Sequence, residues 1–467
     1  MAGEYASRVN GRGVGLNPDE GGSIGGGTVE DKKHANYLRY AAIGALAIVA
    51  VALGLIMIRV FLVSGEEPAS AKQPTGPYAV IAGMSLGAMM RLDFEEKAKG
   101  ETVLLCDAGG TLWVFEAPSG GSLYYSKFVD GAATPIGTVV SGWNFIENIT
   151  ASLDAAGNPT VIWAGLRSDE AVAVDPLELG ERNVSGTGLY EGQVLAVSTW
   201  TGEAWTSPAI LDVLGTGSAA NTLHSMRDPG GVVHIAYDRK LEPPEDYNIG
   251  FILGEGFFPN KCFYVHSQGR GWSTPVATTG RGKFDVRDML LTSTPDGQVG
   301  LSMVIEPPHS AYVGWQKWDG TKWSSVRQVS PDLSSAVTYY GGTFLDKWGT
   351  RIIWWDGGDY KYTLTASGSD GVRRSQEVTT FHPPILAFHA SGAVLMLCPQ
   401  DGSRGDLRAW DGQRWTEPVA CPYGTYLTAS PSGTVYVAGW QEKELVVQEV
   451  VLQVREESPE QERAEGG

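Results

Sequence analysis

A tight turn closing on glycine, set between two apolar β segments, recurs along most of this chain, and such a repeat admits few folds. The copies read LLCDAGGTLWVF, SLDAAGNPTVIWAG, SMRDPGGVVHIAYD, TSTPDGQVGLSMVI, FLDKWGTRIIWW, AFHASGAVLMLC and TASPSGTVYVAGW. Their marker glycines are Gly110, Gly157, Gly231, Gly297, Gly349, Gly392 and Gly433. A second signal follows in most units, a polar or Asp-Gly turn running into Trp: TGEAWTSP at Trp205, SQGRGWSTP at Trp272, WDGTKWSS at Trp323 and WDGQRWTEP at Trp415. The first unit has DGAATP, the fifth has DGVRRS with Arg374 in the Trp position, and the seventh lacks the signal. Repeats of this length that each carry several short strands stack as solenoids or propeller blades, because no single unit buries its own apolar faces.

The fixed order of the two signals predicts an all-β fold, a seven-bladed β-propeller of four-stranded antiparallel blades, with strands A to D running outward from the central channel. The glycine turn joins A to B, where a short hairpin needs a positive φ. The Trp turn joins C to D and lays a large apolar face between blades. Because the seventh unit is short, Tyr78–Ala82 (YAVIA) is expected to close the ring from the other end of the chain.

Ahead of the repeats, residues 40–58 form an unbroken apolar run, YAAIGALAIVAVALGLIMI, extended past Arg59 by 60–63. Nineteen residues at about 1.5 Å each nearly cross a hydrocarbon core of about 30 Å. Lys32, Lys33 and Arg39 precede the run and Glu66 and Glu67 follow it, so the positive-inside rule leaves the N-terminus cytoplasmic and the propeller extracytoplasmic. Ala69-Ser70-Ala71 would suit signal-peptide cleavage, but the long leader and long run favour a retained single-pass membrane anchor. The domains expected are a disordered tail over 1–38, a transmembrane helix over 39–63, a stalk over 64–77, the propeller over 78–454 and a charged tail over 455–467.

The formal net charge is −18, and the tail before the anchor is balanced, so the excess acid lies beyond it. An acidic surface repels nucleic acid and anionic headgroups and accepts neutral or cationic partners, neutral glycans included. Cys106, Cys262, Cys398 and Cys421 lack metal-ligand spacing; two disulfides and four buried thiols both remain open. Asn148-Ile149-Thr150 and Asn183-Val184-Ser185 match the glycosylation sequon. No metal site or cofactor motif is present.

The Trp turns resemble the Asp-box, or bacterial neuraminidase (BNR) repeat, of sialidase-like propellers, S-x-D-x-G-x-x-W. Gly269 and Trp272 keep the Gly-x-x-Trp spacing, with Ser267 and Val265 at the Asp and Ser positions, and WDGxxW moves Asp and Gly one place closer. The resemblance covers most of residues 100–440 and implies architecture. Sialidases of that superfamily use an arginine triad introduced by R-I-P, which this chain does not contain, so no catalytic assignment is carried over.

In a propeller the D-to-A and B-to-C connections surround the channel mouth. Counting ten residues back from each marker glycine reaches Gly100, Glu147, Asn221, Arg287, Tyr339, His382 and Tyr423; Asn148, Asp288, Tyr340 and His224 adjoin them. The expected ligand-binding set is Glu147, Asn221, His224, Arg287, Asp288, Tyr339, Tyr340, His382 and Tyr423. Two long adjacent B-to-C insertions, with Phe251, Phe257 and Phe258 in the second, are expected to wall one side of that mouth. These features favour a binding or scaffold module for a glycan or envelope protein. The alternative is a sialidase-like carbohydrate-active enzyme, a hydrolase or lyase, in which Glu147, Arg287, Tyr339 and His382 would supply acid, clamp and proton transfer.

Overall fold

A computed structural model describes residues 78–457 apart from 94–99, 119, 155, 168–171, 174–188, 191–192, 216–221, 241–259, 270, 280–284, 294–298, 307–310, 331–337, 347–348, 359–360, 369–372, 380–383, 390–392, 401–403, 411–414 and 431. For 338–379 it describes backbone alone. The apolar run, the stalk, the first tail, residues 458–467 and most of the two long insertions lie outside the described residues, while residues 455–457, expected to open the charged tail, continue the last strand; Val172–Ala173 and Leu189–Tyr190 pair as a small ribbon within the first insertion. No helix among the described residues is long and apolar enough to cross a membrane.

The protein is an all-β propeller of four-stranded blades. Blade 1 comprises Glu101–Cys106, Leu112–Ala117 and Leu123–Val129, with Ala132–Ala133 and Gly137–Val140 both paired to its third strand. Blade 2 is built from Trp143–Leu153, Pro159–Arg167, Gln193–Thr199 and Ala209–Gly215. In blade 3 the strands are Leu223–Arg227, Val233–Lys240 and Asn260–Gln268, with Gly271–Trp272 and Val276–Ala277 outside. Blade 4 has Asp285–Ser293, Val299–Glu306, Tyr312–Lys317 and Arg327–Gln328; blade 5 has Thr338–Asp346, Gly349–Gly358, Lys361–Gly368 and Arg373–Thr379. Ile385–Phe388, Val394–Pro399, Gly405–Ala409 and Val419–Cys421 make blade 6.

Six blades, not seven, are thus built from strands consecutive in the chain. The last unit has no fourth strand of its own, and its sheet is of mixed origin: Tyr426–Ala429, Val435–Gln441 and Glu444–Glu457, with Tyr78–Asp93 as the outer strand. That outer strand is sixteen residues long, far beyond the YAVIA segment, and pairs antiparallel from Tyr78↔Glu457 to Asp93↔Glu444. The sheet therefore ties the two ends of the domain together. Tyr78 and Glu457 lie at its A-to-B turn end, away from the Gln441↔Glu444 turn on the mouth side.

The core is laid between blades rather than inside any one of them. One apolar layer joins blades 1 and 2 through Phe115, Trp143 and Trp163; a second joins 2 and 3 through Leu195, Ile235 and Tyr237; a third joins 3 and 4 through Cys262, Leu291 and Met303. Further layers run from blade 6 to the mixed sheet and from there to blade 1. This placement explains the sequence of the B strands. LWVFEA and VLMLCP are buried at every position, since a strand covered on both faces reads as a continuous apolar run.

Both turn signals take the places the pattern assigns them. Gly110, Gly157, Gly231 and Gly433 close A-to-B turns at φ of 83°, 83°, 86° and 98°. Gly349 instead opens strand B, paired with Asp346, while Gly297 and Gly392 fall outside the described residues. Three residues before the glycine sits an oxygen that holds the turn. Asp107 Oδ1 accepts from the amides of Gly109 and Thr111, Asp154 Oδ1 from Ala156 and Asn158, and Asp228 Oδ1 from Val232. Ser430 takes the same role for Thr434.

The Trp turns are C-to-D hairpins, and in blades 2, 4 and 6 they pair two tryptophans across the turn: Trp200 with Trp205, Trp318 with Trp323, Trp410 with Trp415. Each pair with described neighbours packs back on the preceding blade, Trp205 lying 5.4 Å from Tyr125 and Trp323 4.9 Å from Tyr264, ring centre to ring centre. A hydroxyl after the turn closes it. Thr134, Thr206, Ser273, Ser324 and Thr416 each accept, at 3.0 to 3.1 Å, an amide from strand C. All four cysteines are buried, unpaired thiols, pushed up by burial to about 12 for Cys106, Cys262 and Cys398 and about 11 for Cys421.

Candidate functional site

The mouth of the channel is shaped by irregular strand A backbones. Strand A of blade 2 breaks register between Glu147 and Thr150, and that of blade 4 between Arg287 and Leu290. In each break one residue adopts a left-handed conformation, Asn148 at φ 49° and Asp288 at φ 48°. Blade 5 breaks register between Tyr340 and Gly342, at the corresponding place. A bulge turns successive side chains and amides away from the ladder, which is how a regular sheet edge comes to present polar groups inward.

The amides so released are met by side chains from the preceding blade. The amides of Ile149 and Asn148 hydrogen-bond the Glu101 carboxylate of blade 1, and the Asp288 amide donates to Thr222 Oγ1 of blade 3 at 3.3 Å. Glu101 and Thr222 each stand nine residues before their marker glycine. A second set of links lies one step deeper. Ser225 N donates to Thr150 Oγ1 at 3.2 Å between blades 2 and 3, and Leu291 N donates to His224 Nδ1 at 3.3 Å between blades 3 and 4.

Carboxylates crowd the blade 1 side. Glu101 keeps an exposed surface, while its carboxyl end lies against the Asn148 and Ile149 amides of blade 2. Burial, opposed by the two amides and reinforced by Glu147 and Glu116, raises it to about 7. Glu116 is wholly buried; it accepts from Thr102 Oγ1 at 2.5 Å and from Gly100 N at 2.6 Å, and burial raises its pKa. Glu147 Oε1 accepts from Gln193 Nε2 at 2.8 Å.

On the blade 4 side one guanidinium is shared by two carboxylates. Arg287 donates from Nε to Glu306 Oε1 at 2.8 Å, reaches the same oxygen with Nη2 at 2.7 Å, and donates from Nη1 to Asp288 Oδ2 at 2.8 Å. Burial raises Asp288, with Arg287 opposing; Asp285 is likewise raised by burial and accepts from Asn260 N. Nearby Lys261, buried on strand C of blade 3, is lowered by burial to about 8.

The expected ligand residues therefore divide. Glu147, Arg287 and Asp288 stand at strand A breaks on the mouth, but Arg287 already grips two carboxylates. His224 serves the seam between blades 3 and 4, and burial lowers it to about 4. Half-buried Tyr423 meets Arg91, which binds Gln441 and Glu444 of the mixed sheet. Tyr339 and Tyr340 lie on strand A of blade 5, their side chains outside the description, and Asn221 and His382 fall outside the described residues. Counting from glycine missed Glu101, Thr222, Glu116 and Glu306. The count reached Gly100, one residue short of Glu101, and Glu306 belongs to strand B, which was not counted.

No protein-family model and no curated relative matches the chain. Among solved structures it is similar to a protein of unknown function from Dyadobacter fermentans, at 11% identity and TM-score 0.46, over 80% of this chain and 100% of that one. It is also similar to an ulvan lyase bound to -[GlcA(1-4)Rha3S]-, at 10% identity and TM-score 0.43, over 73% and 79%. The Aleuria aurantia lectin in complex with Fucα1-6GlcNAc is similar at 12% identity and TM-score 0.41, over 72% and 98%.

Proposed function

We propose that this protein is a binding module whose channel mouth takes a glycan or an envelope protein. We place it outside the cell membrane on the helix formed by residues 39–63, and read the mixed sheet as the seventh blade of a closed ring. The carrying observation is the pair of left-handed, non-glycine bulges at Asn148 and Asp288. Each costs backbone energy, and each brings a backbone amide of one blade to a side-chain oxygen of the blade before it. The surplus of acceptors at Glu101 and Glu147 suits a ligand that donates hydrogen bonds. Kinship with Asp-box propellers is part of the proposal, supported by the C-to-D position of the Trp turns.

The test is binding of the purified chain to glycan and envelope-protein arrays, followed by titration of any hit against Glu101→Gln and Glu147→Gln. A charged acceptor is worth about 1.5–3 kcal/mol, so each variant should weaken a mouth ligand about tenfold or more. Unchanged affinity in both variants would move the site elsewhere. One observation favours the enzymatic alternative: Glu101, held near 7, can keep a proton beside Glu147 at neutral pH, the requirement for an acid and base pair. Product release from a bound glycan, lost in Glu101→Gln, would establish it.

A further inference from the structure

Blade 3 gathers three of the described histidines, and one of them, His224, is held in a form that a proton disrupts. His224, on its innermost strand, uses Nδ1 as the acceptor for Leu291 N–H of blade 4. His234, on strand B, is buried between Asp228 Oδ2, 3.1 Å from Nε2, and the Tyr264 hydroxyl, 2.6 Å from Nδ1. These partners fix its neutral tautomer: Nε2–H donates to the carboxylate and Nδ1 accepts from the tyrosine. His266, on strand C, stacks on Tyr264 at 5.4 Å and lies 5.5 Å from Trp318 of blade 4, with His234 6.2 Å away. Its Nδ1 is buried with no hydrogen-bond partner. The seam between blades 3 and 4 is thus bridged by one imidazole at the channel and packed against another at the rim.

We propose that the seam between blades 3 and 4 is an acid-operated joint, opened when His224 gains a proton and can no longer accept the Leu291 amide. The proposal is independent of which ligand the mouth takes. A protonated His224 would set two N–H groups against each other where one hydrogen bond stood, beside the apolar layer to which Leu291 belongs together with Met289 and Met303. The charged groups on the strands packed against that of His224 are Asp285, Arg287 and Asp288 on the facing strand of blade 4, Glu147 on strand A of blade 2, and Asp238 and Arg239 on strand B of its own blade; Arg287 is held between Asp288 and Glu306, and none of these groups contributes to the shift at His224. Around His234 and His266 the titratable groups are Asp228, Tyr264 and each other; the facing Trp318 and Trp323 carry no charge.

Burial lowers all three imidazoles, His224 to about 4. The closed seam therefore binds fewer protons than the open one. Closure is at full strength above about 6.5 and is lost as pH falls toward 4. An imidazole released from about 4 to about 6.5 on opening would favour the open seam on the order of 70-fold at pH 4.5 relative to pH 7.5. His224 keeps some contact with water, so we expect at least tenfold.

The experiment is amide hydrogen exchange on the full chain at pH 7.5 and pH 4.5, corrected for intrinsic rates, comparing wild type with His224→Gln. Glutamine keeps an acceptor and cannot titrate. The expected result is a loss of protection of tenfold or more in Leu223–Arg227 and Asp285–Ser293 in acid, abolished in the variant. A smaller loss in wild type, or an equal loss in the variant as carboxylate protonation at Asp288 or Glu306 would give, overturns the proposal. Should the variant fail to fold, NMR of the wild type decides: the Leu291 amide must titrate with the His224 ring protons at one midpoint, and separate midpoints overturn it.

Discussion

Replacing Arg239 tests how the blades hold each other. The buried Asp212 carboxylate at the outer edge of blade 2 accepts from Tyr237 Oη at 2.5 Å, from Val213 N at 2.9 Å and from Arg239 Nη1 at 3.2 and 3.1 Å, while Arg239 stacks on Phe263 at 5.2 Å. Removing one partner of a buried ion pair costs about 3–5 kcal/mol, because a desolvated charge is left behind. Here the tyrosine and the amide stay, and Arg239 Nε is itself buried without a hydrogen-bond partner, so both corrections lower the figure. We expect Arg239→Met to cost about 2 kcal/mol, and Asp212→Asn about the same. The double variant, which removes both charges, should cost at least about 1.5 kcal/mol less than their sum, since neither charge is then stranded. Urea unfolding of the four proteins, followed by tryptophan fluorescence, gives each value. An Arg239→Met cost below about 0.5 kcal/mol with strict additivity would refute the claim that this pair joins blades 2 and 3.

Thr150→Val should cost about 1–3 kcal/mol in the same assay, because it removes the acceptor for Ser225 N inside the ring; Thr150→Ser should restore most of it. Gly157→Ala at φ 83° should cost about 1–2 kcal/mol through backbone strain alone, as nothing lies near the added methyl. Glu101→Gln should change the pH dependence of stability: a carboxyl raised in the fold binds more protons folded than unfolded, so wild type loses stability as pH rises from about 4.5 to 7, and the variant should not. All four thiols should resist iodoacetamide at pH 8 in the native protein and react once it is unfolded, as mass spectrometry will count.

The repeat was legible because hairpin and interblade packing are local demands. A positive φ at Gly110 or Gly157 and a large ring at Trp205 or Trp323 are fixed by the residues around them, so spacing alone locates the turns. The turn-holding oxygens were equally open to reading, since Asp107, Asp154, Asp228 and Ser430 all stand three residues before the glycine. The site was less legible. Arg287 looks like a ligand clamp in sequence, but its two partners are the adjacent Asp288 and Glu306, which strand pairing brings across from the far end of the hairpin. His224 looks like a mouth residue, but a register break one blade away sends the Leu291 amide to its ring. Such breaks depend on how neighbouring blades meet, and no periodicity records them.

Those breaks also join binding to architecture. Glu101 and Thr222 hold the bulge amides of the next blade from the same repeat position, so a ligand drawing on the Glu101 carboxylate competes with the amides of Asn148 and Ile149. Binding there should loosen strand A of blade 2 while it adds its own contacts. The signature would be a Glu101 ligand that raises the melting temperature yet speeds exchange of the Ile149 amide. A ligand held by Glu147 through the place of Gln193 would leave that amide untouched, because Gln193 belongs to the third strand of the same blade. Exchange at Ile149 thus separates a ligand that enters the seam between blades 1 and 2 from one that rests on blade 2 alone.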